Sequence, residues 1–275
     1  MPEGHTIHRL AAEHARLLDG SPVRTSSPQG RFVAGAARLD GTTLVGTDAH
    51  GKHLFHGYRT PDGEPLWLHV HLGLYGRFST GAPPAPPPVG QVRLRWRSDH
   101  GYLDLRGPAA CDLVTPAEKA ALRDRLGPDP LRPDADPSRA GERVLRSRTP
   151  VGQLLMDQSV IAGVGAAYRA EVLFRLGVDP HRPGRSLDRT TWQEIWDEVR
   201  ELMAYGVRVG RIDTVRPEHT PEAMGRPPRV DRHGGEVYVY RRAGQPCLVC
   251  GTPVRAGVLA ARNLYWCPRC QPSPV

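Results

Sequence analysis

The spacing of apolar and polar positions changes character twice along the chain. Ile7, Leu10, Ala11, His14, Leu17 and Leu18 recur at the three- and four-residue spacing of one helical face, and Gly20 follows as a stop. Residues 4–18 are therefore predicted to form a helix. From residue 21 to about 113 the period drops to two. Runs such as LVGT, KHLFHGY, LWLHVHL, VRLRW and LDLR alternate apolar with polar residues between Gly, Pro and Asp, the pattern of an antiparallel sandwich or barrel. The stretch GAPPAPPPVG at 81–90 reads as a proline-stiffened surface loop between strands. A short helix is expected over 116–126, and GPDPLRPDADPSRAG at 127–141 reads as an interdomain linker. From 142 to 210 helical patterns dominate: GERVLRSR, VGQLLMDQSV ending near Ile161, AAYRAEVLFRLG from near Gly165, and a long segment at 188–208. Residues 213–235 hold too much Pro, Gly and charge for either period and are expected to form a mobile loop.

Composition narrows the class of partner. Of the 275 residues 39% are hydrophobic and 24% charged, as in ordinary globular proteins. No apolar run reaches the ~20 residues of a membrane span, and MPEGHTIHRL has no apolar signal core, so a cytoplasmic location without membrane association is expected. The net charge of +8 favours an acidic polymer, for which nucleic acid is the usual candidate. Nearly all of the basic charge is arginine, since Lys52 and Lys119 are the only lysines.

Four of the five cysteines lie near the end of the chain as two tight pairs, Cys247-x2-Cys250 and Cys267-x2-Cys270, separated by sixteen residues. Two such knuckles present four thiolates to one ion, and with no position left for water a single structural Zn2+ is expected. The spacer alternates in its second half and is predicted to form a β-hairpin carrying Arg255 and Arg262; Arg241 and Arg242 precede it. Arginines on a rigid hairpin suit phosphate contacts, although a solvated hairpin face accounts for them equally well. Cys111 is left over and reads as a small core residue.

Two further features carry candidate chemistry. The turn Ala-Gly-Val-Gly at 162–165 opens onto a predicted helix whose first amides suit an anion, unless it is an ordinary helical hairpin. Pro2 follows Met1 directly. Removal of the methionine exposes a secondary amine, and a free α-amine has a pKa of roughly 7.7–8, so a useful fraction is a neutral nucleophile near pH 7. Glu3 beside it is a candidate general acid or base.

Taken in order, PEGHTIHR at 2–9, GKHLF at 51–55, LLMDQSVIAGVG at 154–165 and the finger ending ARNLYWCPRCQ at 261–271 resemble the formamidopyrimidine-DNA glycosylase and endonuclease VIII family, and most of all its actinobacterial endonuclease VIII branch. The resemblance spans essentially the whole chain. It implies an α+β fold: an N-terminal β-sandwich with flanking helices at 1–130, a helix–two-turn–helix domain at 131–235, and a β-hairpin zinc finger at 236–275. It implies a monomeric glycosylase and abasic-site lyase acting on damaged DNA, with oxidised pyrimidines as the leading substrates. Pro2 would be the nucleophile, Glu3 would protonate the sugar, and Lys52 and Arg262 would hold phosphates. Leu74 and Tyr75 in GLYG would fill the gap left by the extruded base, and Gly165 and Ala166 would offer amides to the backbone. At Ala166 the family usually has a phosphate-binding asparagine. That departure leaves open a non-catalytic clamp, or a specialised paralogue acting on abasic or bulky lesions.

Overall fold

The computed structural model describes residues 2–18, 20, 22–60, 62–231 and 234–273. The chain divides into two compact units, one of Ile7–Arg125 with the residues up to Glu3, the other of Leu126 onward with Gly4–Thr6.

The first unit holds two four-stranded antiparallel sheets. One has the order β2-β3-β4-β8, from β2 (Thr43–His50), β3 (His53–Arg59), β4 (Pro65–His71) and β8 (Ala110–Val114). The other has the order β1-β6-β7-β5, from β1 (Arg24–Ser26), β6 (Val92–Ser98), β7 (Gly101–Arg106) and β5 (Arg77–Gly81). Inward positions alternate along each strand: Leu54 and Tyr58, Leu68 and Val70, Leu94 and Trp96, and Leu103 and Leu105 are all buried in one core. Helix α1 (Gly4–Leu17) adds Ile7 and Ala11 to that core from the predicted face. Helix α3 (Pro116–Asp124) starts at a capping box in which Thr115 accepts from the Glu118 amide and Glu118 from that of Thr115. It lays Lys119 on the outer sheet face, 3.3 Å from the Trp67 ring centroid and 2.9 Å from Asp48.

One element was not expected. Val33–Leu39 forms a short helix, α2, that buries Ala36 and Leu39 in the sandwich core. Two inward residues in seven are too few to register as a period.

A polar chain crosses the sandwich core. The Trp96 indole can only donate, so the Tyr58 hydroxyl accepts from it at 2.8 Å and gives its own proton to His56 Nδ1 at 3.3 Å. His56 then carries hydrogen on Nε2 and donates to His14 Nδ1 at 3.0 Å. His14 is left with its hydrogen on Nε2, and its ring stands edge-on to Phe78 at 4.4 Å. Burial drives both imidazoles well below their ordinary pKa, His56 to about 3, so the chain is neutral.

The second unit is helical. Helix α4 (Pro137–Leu145) begins inside the stretch expected to be linker, because Asp136 caps it by accepting from the Ser138 amide. Residues 127–130 are buried, not exposed as a linker would be. Helix α5 is a single turn, Val151–Leu154, and stops seven residues before the expected end at Ile161. The cause is local: the Asp157 carboxylate accepts from both the amide and the hydroxyl of Ser159, and the Gln158 carbonyl accepts from Gly127. Helix α6 (Ala166–Arg175) and the long α7 (Arg189–Val209) pack through Tyr168, Val172, Trp192, Ile195, Val199 and Met203. Asp188 caps α7 and Gly210, at φ 74°, ends it. The 213–235 stretch is irregular, with one turn of helix, α8 (Pro221–Met224), but it is tethered rather than loose. Arg226 pairs with Glu236 at 2.7 Å and His219 meets the Tyr238 hydroxyl at 2.9 Å. The predicted hairpin is present as β9 (Arg255–Leu259) and β10 (Arg262–Trp266). Among the described residues no helix is long and apolar enough to cross a membrane.

Candidate active site and nucleic-acid contacts

Pro2, Glu3, Lys52, Leu74 and Tyr75 belong to the first unit; Gly165, Ala166, Arg262 and the four paired cysteines belong to the second. Pro2 is half-buried ahead of α1, and Glu3, only 2% exposed, is that helix's N-cap residue. In the second unit the next amide, Gly4, donates to Gly163 at 2.8 Å. A Cβ on Gly4 would lie 2.9 Å from the Gly163 Cα, so the glycine is required for that approach.

Lys52 occupies the two-residue turn between β2 and β3, where Gly51 takes φ 58°. It is half-buried and flanked by imidazoles to which neither period nor motif had drawn notice: His50 and His53 on either side of the turn, and His69 and His71 across the β3–β4 ladder. His53 Nδ1 lies 2.8 Å from His69 Nε2, and the His53 and His71 rings are 4.9 Å apart. Burial, then mutual repulsion, lowers His53 to about 3. Burial lowers His69 to about 4, and burial followed by the Lys52 charge lowers His71. Near pH 7 the His53, His69 and His71 rings beside Lys52 are thus neutral. The HGKH and HVH patterns were the available signal.

His71 ends β4, and the next turn carries Leu74 and Tyr75 outward, 57% and 83% exposed. Gly73 takes φ 66°, and a side chain on Gly76 would strike the Leu72 carbonyl, so both glycines shape the tip.

In the second unit Gly165 is the N-cap residue of α6, whose start has no side-chain cap. Gln158, which no sequence pattern singles out, builds the turn before it: its Nε2 donates to Val164 O at 2.9 Å and its Oε1 accepts from Gly163 at 2.9 Å. One turn into α6, the buried Arg169 guanidinium donates to the carbonyls of Gly152 and Asn263. Asn263 follows Arg262, which is exposed at the head of β10 just past Ala260 and Ala261, at φ 48° and 59°. The α6 start and the Arg262 strand are thus linked. Arg242 is not available for phosphate: it is buried and donates to Tyr238 O, Pro246 O and Gln245. Glu171 accepts from the Thr214 hydroxyl and from three successive amides, Tyr238, Val239 and Tyr240, at 2.6–2.9 Å.

The four thiols lie within 4.8 Å of one another, with Cys247–Cys270 at 3.8 Å and Cys250–Cys267 at 3.5 Å. A zinc tetrahedron with Zn–S of about 2.3 Å has sulfur–sulfur edges of about 3.8 Å, so the donor set fits the ion. All four ligands are protein sulfurs, which makes the zinc structural.

Family models match residues 1–111 (formamidopyrimidine-DNA glycosylase N-terminal domain), 126–217 (formamidopyrimidine-DNA glycosylase H2TH domain) and 244–272 (zinc finger found in FPG and IleRS). Over 278 residues the chain is 50% identical to Endonuclease 8 1 of Mycobacterium tuberculosis, covering 98% of this chain and all of that one. The chain belongs to the formamidopyrimidine-DNA glycosylase and endonuclease VIII family. Probable endonuclease 8 2 of Streptomyces coelicolor is 34% identical over 288 residues, covering all of this chain and 95% of that one. Lactococcus lactis Fpg, solved in complex with an abasic site containing DNA, shares the fold with a TM-score of 0.78 at 22% identity, over 98% of this chain and all of that one. As a family member the protein is a DNA glycosylase of base-excision repair with abasic-site lyase activity.

Proposed function

We propose that this glycosylase removes oxidised bases, pyrimidines foremost, from damaged DNA by forming an iminium at Pro2. The observation that carries the reading is the head of α1, with a half-buried Pro2 followed by a buried Glu3. Glu3 is the carboxyl next to the amine, where a proton donor to the sugar is needed. With Met1 removed, the Pro2 nitrogen lone pair attacks C1′ and the glycosidic bond breaks, its electrons leaving with the base. Glu3 protonates the ring oxygen; C1′–O4′ opens and the iminium forms. Loss of the C2′ proton then expels the 3′ phosphate by β-elimination, δ-elimination expels the 5′ phosphate, and water hydrolyses the iminium to regenerate the amine.

A base stacked in a duplex must be extruded before C1′ can be reached, and the exposed Leu74 and Tyr75 suit a plug for the gap. That tip and the identity to an endonuclease VIII relative support pyrimidines. Lys52, Arg262 and the Gly165–Ala166 amides supply phosphate contacts. In this reading 1–130 does the chemistry, 131–235 binds the backbone, 236–275 is the finger, and the chain acts as a cytoplasmic monomer. The second reading, a damage-binding paralogue with little turnover or one directed at abasic or bulky lesions, rests on Ala166, whose side chain offers no donor.

Borohydride trapping on duplexes carrying an abasic site or an oxidised pyrimidine decides between them, with Pro2→Gly and Glu3→Gln beside the wild type. A Pro2-dependent crosslink on both substrates is expected. Trapping on the abasic duplex alone would remove the pyrimidine assignment. Binding without trapping would favour the clamp and make Ala166→Asn the next variant.

A further inference from the structure

The first unit carries an open groove of about 610 Å³ walled by the loop before α2, α2 itself, the start of β6 and strand β8. Three guanidinium groups line it, Arg31, Arg38 and Arg93, against one carboxylate, Asp112. Among the described residues no carboxylate ion-pairs with any of the three arginines. Three guanidinium groups from three segments, outnumbering the one carboxylate, are the chemistry of an anion site.

The groove is built, not an accident of long side chains. The loop holding Arg31 is stitched to β6: Ser27 Oγ donates to Arg93 O at 2.7 Å, the Gln29 amide donates to Val92 O at 2.9 Å, and Phe32 N donates to Ser27 Oγ at 3.0 Å. Arg93 sits where the β6–β7 register slips between Val92 and Leu94, a bulge that re-aims one side chain. Its Nε donates to Gln29 Oε1 at 3.2 Å. Lys52 lies in the turn between β2 and β3 of the first sheet, and the groove borders β8, the strand at that sheet's far edge.

We infer that this groove takes a backbone phosphate of the DNA, as a contact separate from Lys52, Arg262 and the α6 start. It depends on the reading of the chain as a DNA-binding glycosylase. Such a contact adds affinity and register without reading a base.

The test is anisotropy of a labelled undamaged duplex and of the same duplex with one abasic analogue, titrated with the full-length zinc-loaded protein at several salt concentrations. Removing one phosphate partner should lower the slope of log K against log salt by about 0.9. Arg31→Gln with Arg93→Gln should weaken both duplexes alike, by roughly three- to ten-fold at moderate salt, with the slope reduced. Arg31→Lys should retain most of the slope, and Asp112→Asn should tighten binding. An unchanged slope and affinity in variants whose thermal melts match the wild type would overturn the inference. So would loss of inorganic phosphate or acidic-peptide binding with DNA binding intact. Borohydride trapping by the wild type reports the Pro2 chemistry independently: absent trapping with a shifted slope sinks the mechanism and keeps the groove, and the converse sinks the groove alone.

Discussion

The core between the two sheets and the helical unit bury polar groups by opposite means. Between the sheets the chain Trp96–Tyr58–His56–His14 is neutral, and each member depends on the proton placement of the one before. In the helical unit Arg169, Glu171 and Arg242 are buried too, and most of their partners are backbone carbonyls and amides. The difference follows from what surrounds them. In the sandwich the strands already satisfy one another's backbone, so side chains bond to side chains. Residues 236–240 have no ladder, and the Glu171 carboxylate takes the place of a neighbouring strand for three of their amides. The neutral network is sensitive to acid; the charged one is sensitive to removal of a partner.

The contrast can be broken from either side. Zinc is the largest lever, since structural zinc in finger peptides contributes about 10–16 kcal/mol of apparent binding free energy. Chelation should release one zinc per chain and abolish DNA binding while leaving the sandwich folded, as read by a metallochromic dye and by circular dichroism. Glu171→Ala should cost about 3–5 kcal/mol, because four buried donors lose their acceptor. A melting shift of that size with faster zinc release would be the signature, and an unchanged melt would refute the substitute-strand account.

Acid should act on the sandwich instead. Folded His56 stays neutral down to about 3, whereas in the unfolded chain it takes up a proton near its ordinary 6.5. Its contribution is therefore complete above about 6.5 and is lost as pH falls toward 3, at about 1.4 kcal/mol per pH unit, or about 2 kcal/mol by pH 5. Denaturant melts across that range, repeated on His56→Gln, would show the slope shrink in the variant. The smallest effect belongs to the hairpin tip. Ala261 holds φ 59°, so Ala261→Gly should stabilise by about 0.5–1 kcal/mol, and a drop in stability would argue against strain there.

Much of this was legible from the chain alone. Helix α1, the alternating strands, α7 and the four-cysteine cluster each follow from a period or a spacing that survives in any context. What escaped depends on single side chains bonding across long sequence distances. Asp157 and Gln158 stop α5 early and build the turn before α6. Arg242 looks like a phosphate contact in a basic run, yet it is spent on three local acceptors. Of the candidate site, the histidines around Lys52 were visible as letters, but only the β3–β4 register puts His53 against His69 and His71.

The stacking of Lys119 on Trp67 bears on how the enzyme can be labelled. Its ammonium is held between an indole face and the Asp48 carboxylate, with its side chain 12% exposed. Lys52 is the only other lysine in the chain. Among side chains a lysine-acylating reagent is thus in effect a reagent for the β2–β3 turn, the Pro2 amine being its other target, and mass mapping of the Lys52 peptide would count occupancy of that turn with and without DNA.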